Sequence, residues 1–420
     1  MPSPESIPPG PDRHAGRDDW RRIVTVFWIT SLVEGLDVSQ VFSFLAPYLR
    51  EMGVPDAERI PFVGLFSALI FVVGMPLVPL WGVWADKYSR KAVIARSCLV
   101  EAVVFVAVAL SREPWQLAVS LLLIGFQLGN TGVMLAAIRD VVPRARIGTI
   151  IAVFGASGPI GFAVGPVLGG WLVDGLGLSL SAMFWVSAGL SVATGALVWF
   201  GSREVRPEVI PEGRVLPLAF GALRGVLADR TVRRIFAIYG VAFLANQMSR
   251  PYQALIVEHI VGAGPGLASS IGFVAGTAAL VGALTAPFGG VLGDRIGFRP
   301  VLVGAMFVGG LALIAVPLAA AIPVLALAVL VFTACNGIVG AMVFSLLATE
   351  VPAERRSQTL NLVYLPLYAA GIIGPAVGGT IAGVTGPSGP FWAAAVVFLG
   401  GALVVALRVR PRGVEATSTP

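Results

Sequence analysis

The sequence has few charged residues for its length. Of its 420 residues, only 12% are Asp, Glu, Lys or Arg, and 56% are hydrophobic. Soluble domains carry roughly 25% charged residues. A soluble chain of this size needs a larger charged surface, so the composition indicates a polytopic membrane protein.

Cysteine and histidine are also scarce, with two of each. Cys98 and Cys335 fall in apolar stretches, and His14 and His259 are isolated in sequence. This excludes a disulfide framework and predicts no metal site. The sequence has no G-x-S-x-G, no H-E-x-x-H and no phosphate-binding GKS or GKT. A membrane enzyme and an ATP-driven pump are therefore disfavoured, and we predict no catalytic residues and no cofactor.

What is present is a series of apolar stretches, each near or above the ~20 residues that cross hydrocarbon as a helix. The predicted spans are 22–49, 61–85, 92–111, 115–138, 147–173, 181–200, 235–260, 268–292, 300–320, 323–348, 357–384 and 390–409. The fold class is thus an all-α membrane protein with twelve transmembrane helices. The predicted layout is a disordered cytoplasmic tail (1–21), a six-helix bundle (22–200), a linker (201–234) with a short helix at Leu216–Ala228, a second six-helix bundle (235–409) and a second tail (410–420).

Lysine and arginine are distributed unevenly between the two sides. Of 29 such residues, Arg50, Arg59 and Arg112 lie in loops on one side, and Arg250 lies inside a span. The others lie on the side of both termini, which the positive-inside rule assigns to the cytoplasm. This pattern fits a bacterial inner membrane. It also explains the net charge of +6 without a nucleic-acid partner.

Three motifs recur at nearly one spacing. GVWADKYSRK (82–91) returns as GVLGDRIGFR (290–299), 208 residues later. GPVLGG (165–170) returns as GPAVGG (374–379), and VPRAR (142–146) as VPAER (351–355), each 209 residues later. The repetition predicts two homologous six-helix bundles.

These motifs give the chain a resemblance to the major facilitator superfamily over about residues 20–410. The loop after span 2 resembles the family's signature loop, although Ser89 replaces its second glycine. The loop residues in the two copies are Gly82, Asp86, Lys87, Arg90 and Lys91, then Gly290, Asp294, Arg295, Gly297 and Arg299. Span 5 is similar to the antiporter motif of the family's drug:proton exporters, and span 11 carries a related stripe. The stripe residues are Gly161, Gly165, Pro166, Gly169 and Gly170, then Gly371, Gly374, Pro375, Gly378 and Gly379.

The resemblance implies that the loops form a gate on the cytoplasmic side. In the family the loop aspartate accepts hydrogen bonds from a helix N-terminus of the other half, and its arginine pairs with an acid that ends span 4. The matching residues here are Asp86, Arg90 and Asp140. The alternative is a solvated turn that only follows the positive-inside rule. The glycine stripes permit close helix packing, and Pro166 removes a backbone donor and bends its helix.

Two carboxylates lie near the middle of the first span, in LVEGLDVSQV (32–41). Glu34 and Asp37 lie roughly 18 Å and 22 Å along the helix from Arg22 and share one face. A charge at the bilayer centre costs about 2.5–3.5 kcal/mol and usually faces a polar path. We therefore predict that these acids bind protons or cargo, with Glu101 as a further candidate. Arg250 lies at similar depth in span 7. The resemblance implies that spans 1 and 7 face each other across a central cavity, so Arg250 could neutralise the acids or hold an anionic group. The alternative is a structural ion cluster.

Polar residues elsewhere in the spans are candidates to line this cavity, between spans 1, 4, 7 and 10. They are Gln40, Gln127, Asn130, Asn246, Gln247, Asn336, Asn361, Tyr364 and Tyr368. One departure from the drug exporters is that Leu121–Ile124 contains no arginine. In the family an arginine there is tied to proton transfer, so its absence moves the predicted proton site towards span 1.

The leading prediction is a secondary transporter of the multidrug type, which exports hydrophobic or cationic small molecules in exchange for protons. The alternative is a transporter of the same fold for a sugar, siderophore or other metabolite, including an importer. A channel and a non-transporting sensor are the remaining classes. The predicted partners are a small-molecule cargo and the lipid bilayer, the predicted energy source is the proton gradient, and the predicted state is a monomer.

Overall fold

The computed structural model describes residues 19–207, 209–350 and 365–408, and the regular elements within these ranges are all helices. In chain order they begin with α1 (Asp19–Glu51), α2 (Asp56–Val72), α3 (Gly74–Lys87), α4 (Arg90–Leu110), α5 (Pro114–Leu123), α6 (Asn130–Val141), α7 (Ile147–Gly170) and α8 (Leu180–Gly201). They continue with α9 (Val215–Ala228), α10 (Arg230–Ser249), α11 (Gln253–Val261), α12 (Leu267–Ile296), α13 (Phe298–Ala315), α14 (Ile322–Glu350), α15 (Leu365–Thr385) and α16 (Gly389–Arg408).

Within these ranges, eleven helical stretches are long and apolar enough to cross a bilayer. They correspond to the predicted spans other than the seventh. The seventh, predicted at 235–260, is helical as α10 and α11, but α10 begins with three arginines in its first five residues. The eleventh, predicted at 357–384, is described from Leu365 onward as α15.

Several spans are interrupted, and polar residues lie at the interruptions. Pro251 lacks an amide donor, and the chain forms a 3-10 turn at Arg250–Tyr252 between α10 and α11. A second 3-10 turn, Ile124–Phe126, follows α5, and α6 begins after Gly129, whose φ of +100° suits glycine. These breaks put Arg250, Gln127 and Asn130 where the backbone is least regular.

Helix pairing follows the same scheme in the first and last six spans. In the first six, α1 packs on α7, α4 on α8, and α2 on α5. In the last six, the counterparts pair in the same way: α10 on α15, α13 on α16, and α12 on α14. The two sets of six are in contact mainly through α7 with α12 and α2 with α15. Hereafter they are called the first half and the second half.

The linker contains the short helix that the sequence predicts, observed as α9 and packed against α3. The following helix starts earlier than the predicted residue 235, because Asp229 caps it. The Asp229 carboxylate accepts hydrogen bonds from the amides of Thr231 at 2.8 Å and Val232 at 3.3 Å.

Large apolar side chains such as Val103, Phe288 and Val396 are exposed on the outer faces of the helices, which suits contact with hydrocarbon.

Candidate functional site

The two acids of α1 bind different helices of the first half. Glu34 is half-buried, and its Oε2 accepts a hydrogen bond from Asn130 Nδ2 at 3.0 Å. Asp37 is 0% exposed, and its Oδ2 accepts from Ser191 Oγ of α8 at 2.9 Å. The other oxygen of Asp37, Oδ1, is buried without a hydrogen-bond partner. The acids therefore point into the interior of the first half.

Glu101 completes this group from α4. It is 3% exposed, and its Oε1 accepts from Gln127 Nε2 at 3.0 Å. Glu34, Asp37 and Glu101, hereafter the acid cluster, are near enough to interact electrostatically. Their donors are neutral amides and hydroxyls, and no lysine or arginine among the described residues pairs with them within 4.0 Å. Carboxyl groups held in this way can take up and release protons without breaking an ion pair.

Several amides predicted to line the cavity are buried in helix contacts instead. Gln40 donates to Gly165 O at 3.2 Å and accepts from Ser187 Oγ at 2.7 Å, so it joins α1 to α7 and α8. Gln127 and Asn130 bind the acid cluster, and Gln247 is buried against α15.

The remaining predicted cavity residues divide into three groups. Asn246 and Asn336 line a cavity that is described below. Tyr368 is buried, with its ring 6.0 Å from that of Phe71. Asn361 and Tyr364 lie outside the described residues.

Arg250 does not pair with the acids of α1, contrary to one prediction. Its guanidinium carbon lies 4.4 Å from the ring centre of Phe42 and 4.7 Å from that of Phe162, both in the first half. Asp37 faces α8, whereas Arg250 meets α1 at Phe42, which is about 7.5 Å further along that helix. Similar depth in the membrane thus does not bring the two charges together.

A cavity of about 150 Å³ lies beside Arg250. Both halves contribute to its wall. The polar lining residues are Ser43, Asn246, Arg250, Gln253, Thr333 and Asn336, and the rest of the lining is apolar. Asn336 Oδ1 is buried without a hydrogen-bond partner. The cavity therefore combines an apolar wall with a few polar groups, as small-molecule sites do.

The first signature loop forms a compact charge network. Arg90 is 4% exposed, and its guanidinium binds Asp86 at 2.8 Å and Asp140 at 2.6 Å. The Arg90–Asp140 contact is the one that the family resemblance implies. Asp86, by contrast, binds Arg90 of its own half rather than an amide of the other half. Lys87 donates to Gly213 O in the linker, and Lys91 lies 5.3 Å from the ring centre of Trp199.

Ser89, which replaces a glycine of the family motif, has a role in this loop. Its hydroxyl accepts from the amide of Ala92 and so caps α4. The same hydroxyl donates to Glu204, just after α8, and Glu204 also accepts from the amides of Arg90 at 2.9 Å and Lys91 at 3.5 Å. A carboxylate at a helix N-terminus is favourable, so Glu204 ties the linker to the loop.

The second copy of the loop is more open. Asp294 and Arg295 are exposed, and Gly290 has free space around it, as does Gly82 in the first copy. Arg299 donates to Ala406 O of α16. Among the residues that the structure describes, the two loops do not form the contact across the halves that the resemblance implies.

The glycine stripes give close backbone contacts. A Cβ at Gly161 or Gly165 would overlap the backbone of α1 at Leu32 and Leu36. The equivalent stripe on α15 packs on α10, where a Cβ at Gly374 or Gly378 would lie 3.0 Å or 2.8 Å from the nearest atoms. Further stripe residues contact the opposite half: Pro166 and Gly170 approach α12, and Pro375 and Gly379 approach α2.

One ion network was missed by sequence reasoning. Glu258 of α11 binds Arg59 of α2 through two hydrogen bonds of 3.1 Å and 2.8 Å, and it also lies 2.5 Å from Arg50. Arg59, Arg50 and Glu258, hereafter the Glu258 cluster, join the two halves at the end opposite the signature loops. The signal in the sequence is that Arg50 and Arg59 are rare basic residues on that side. Nothing in the sequence names their partner.

Comparisons with known proteins agree with this geometry. The model of the family described as Major Facilitator Superfamily matches residues 27–256 and 235–420. Multidrug resistance protein MdtG of Yersinia enterocolitica is 27% identical over 301 residues, which is 70% of this chain and 71% of that protein. MdtG of Citrobacter koseri is 28% identical over 299 residues, with 70% and 72% covered. With the apolar helices, these relatives indicate a multi-pass protein of the bacterial inner membrane.

Solved structures share the fold at low sequence identity. A bacterial homologue of the human lysosomal transporter Spinster, in an inward-facing and occupied conformation, has a TM-score of 0.77 at 14% identity, and the alignment covers 93% of this chain and 97% of that one. The nucleoside transporter NupG has a TM-score of 0.69 at 15% identity, with 91% and 97% covered. Because the family model covers most of the sequence and the fold agrees, this chain belongs to the major facilitator superfamily.

Proposed function

We propose that the protein is a secondary active transporter that exports hydrophobic small molecules in exchange for protons. The observation that carries the proposal is the acid cluster. Three carboxyl groups lie in the interior of one half, and their described partners are neutral donors. The name of the MdtG relatives, multidrug resistance protein, supports export as the direction.

The proposed topology has twelve spans, with the broken helix of α10 and α11 as the seventh. Both termini and the linker are cytoplasmic, which follows from the distribution of lysine and arginine. The signature loops then face the cytoplasm, and the Glu258 cluster faces the outside. We further propose that the protein acts as a monomer, without a cofactor and without enzymatic chemistry.

In this topology the described contacts between the halves correspond to an inward-facing state. On the outer side, α7 contacts α12 near Gly170 and Ala268, α2 contacts α15 near Gly64 and Pro375, and the Glu258 cluster adds an ion network. On the cytoplasmic side, the charges of the first signature loop pair within their own half. Alternating access would break the outer contacts and form new ones between the loops.

The acid cluster suggests a proton route through the first half. Glu34 is the most accessible of the three acids, whereas Asp37 and Glu101 are buried deeper. A proton that enters at Glu34 would pass to the deeper acids through hydroxyl groups such as that of Ser191 and through water, while the amides only hold the carboxylates in place. This route does not need the arginine that the drug exporters carry in span 4.

The alternative remains a transporter of the same fold with a polar metabolite as cargo, including an importer. Arg250 favours this alternative because it places a cation on the wall of the cavity. Proton coupling separates the proposed exporter from a facilitator that carries a metabolite down its gradient, since a facilitator needs no proton site.

The test is proton release on cargo binding. Purified protein in weakly buffered detergent is mixed with naphthyl compounds that carry a carboxylate, an amide or an ammonium group, and a pH dye reports the response. We expect wild type to release protons with at least one compound, and Glu34→Gln or Asp37→Asn to abolish the release. Glu58→Gln, an exposed acid on α2, is the matched control. Binding without proton release in wild type would contradict the proposal.

A further inference from the structure

Arg250 is the charged group that the cavity presents to a ligand. Of the described residues that line the cavity, no other is charged. Arg250 has no carboxylate within ion-pair distance among the described residues, and no described group accepts a hydrogen bond from its guanidinium. Arg250 is half-buried, and a cation withdrawn from water without a counter-ion is costly, so proteins usually provide a partner. A ligand can provide it here.

The acids that could compete for Arg250 face elsewhere. Asp37 points to Ser191 of α8, and Glu101 points to Gln127. Glu34 binds Asn130 and is not among the residues that line the cavity. The negative charges thus lie inside the first half, and the wall of the cavity is positive.

The phenyl rings orient the guanidinium for recognition. Phe42 and Phe162 lie within cation–π distance of Arg250 and occupy two sides of its surroundings. Its N–H groups are left to meet a planar acceptor, and the geometry that suits them best is a carboxylate bound through both oxygens. Asn336 Oδ1 has no donor and can accept from a hydroxyl or N–H of the same ligand. The apolar residues Ile271, Val274 and Val329 provide the rest of the surface.

We propose that this cavity binds amphipathic organic anions, in which an apolar body carries one carboxylate that pairs with Arg250. The inference rests on the proposed function and narrows its cargo class from hydrophobic compounds to hydrophobic acids. A cationic cargo is disfavoured, since it would lie beside Arg250 with no described carboxylate on the cavity wall. Export of an anion against entry of a proton moves charge in one sense, so a membrane potential that is negative inside drives both steps.

The experiment compares three ligands on one scaffold. Naphthaleneacetate, naphthaleneacetamide and naphthylmethyl-trimethylammonium have the same apolar body and differ in charge. Calorimetry with the full chain in lipid nanodiscs at neutral pH gives an affinity for each. We expect the carboxylate to bind about tenfold or more tightly than the amide, because a charged hydrogen-bonded pair is worth at least that ratio. We expect the ammonium compound to bind more weakly than the amide.

Variants then assign the preference to one residue. Arg250→Gln should weaken binding of the carboxylate by about tenfold or more and leave the amide within about twofold. Unchanged amide binding also shows that the variant is folded. Arg96→Gln is the matched control, because Arg96 stacks on Trp81 at 3.7 Å and does not line the cavity. It should leave the order of the three ligands as in wild type.

Two results would overturn the proposal. The first is that wild type binds the carboxylate no more tightly than the amide. The second is that Arg250→Gln weakens the binding of all three ligands equally, or of none of them. Either result leaves the proposal of proton-coupled export unaffected. The proton-release experiment tests that proposal separately, with any of the three compounds.

Discussion

The outer contact between the halves should depend on Glu258. The change Glu258→Gln keeps the shape of the side chain and removes its charge. Arg59 is then the residue most affected, because its side chain is only 5% exposed and two of its hydrogen bonds end on Glu258. Removing one partner of a fully buried ion pair costs about 3–5 kcal/mol.

The loss at this site should be smaller than that range. Asp56 still pairs with Arg59 at 2.7 Å, and the side chain of Arg50 is 31% exposed, so water compensates part of its charge. We therefore expect Glu258→Gln to destabilise the state with closed outer ends by about 2 kcal/mol. This corresponds to a change of roughly thirtyfold in the ratio of closed to open outer ends.

Distances between spin labels measure this ratio directly. Ala57 and Ala263 are exposed on opposite halves near the Glu258 cluster and can each carry a label on an introduced cysteine. The natural cysteines are buried and react poorly. We expect Glu258→Gln to add a population with a longer distance between the labels.

The control separates the loss of the network from a general charge effect. Glu58→Gln is the same chemical change on an exposed acid beside Arg59, and it should leave the distance distribution as in wild type. The reasoning would be refuted if Glu258→Gln left the distribution unchanged, or if both variants changed it equally.

Two further predictions concern helix contacts. Gly161→Val should lower the unfolding temperature, because overpacking against the α1 backbone costs about 1–3 kcal/mol. Gly155 lies on the same helix with open space around it, so Gly155→Val should be nearly neutral in fluorescence-monitored melting. Equal unfolding temperatures of the two variants would contradict this packing. Glu204→Gln should speed hydrogen exchange in the first turn of α4, since a lost charged cap costs about 1 kcal/mol. Glu212→Gln, an exposed acid in the same linker, should leave that exchange unchanged, and slower or equal exchange in Glu204→Gln would refute the capping role.

The features predicted best from sequence were those that depend on local pattern. Hydropathy located eleven of the predicted spans, and the repeated loops and glycine stripes indicated the family. The contact of Arg90 with Asp140, at 2.6 Å, follows from the family motif. Interruptions of helices were partly predictable, since Pro251 removes a backbone donor between α10 and α11.

Contacts that depend on helix rotation were not predictable. Arg250 and Asp37 lie at similar depth along their spans, but depth does not say which way a side chain faces. Asp37 faces Ser191, and a serine in an apolar helix carries no signal that it binds an acid. The partner of Arg59 is 199 residues away in the other half, and no local pattern connects it with Glu258.

The close packing of α7 has a mechanical consequence. On one face Gly161 meets the α1 backbone beside the turns that carry Glu34 and Asp37, and further along the helix Pro166 meets Gly272 of α12. Backbone touches backbone at both places, so no flexible side chain is present to absorb a displacement. A movement of the second half at Gly272 is therefore passed to α7 by direct backbone contact, and α7 in turn presses on the helix that holds the acids.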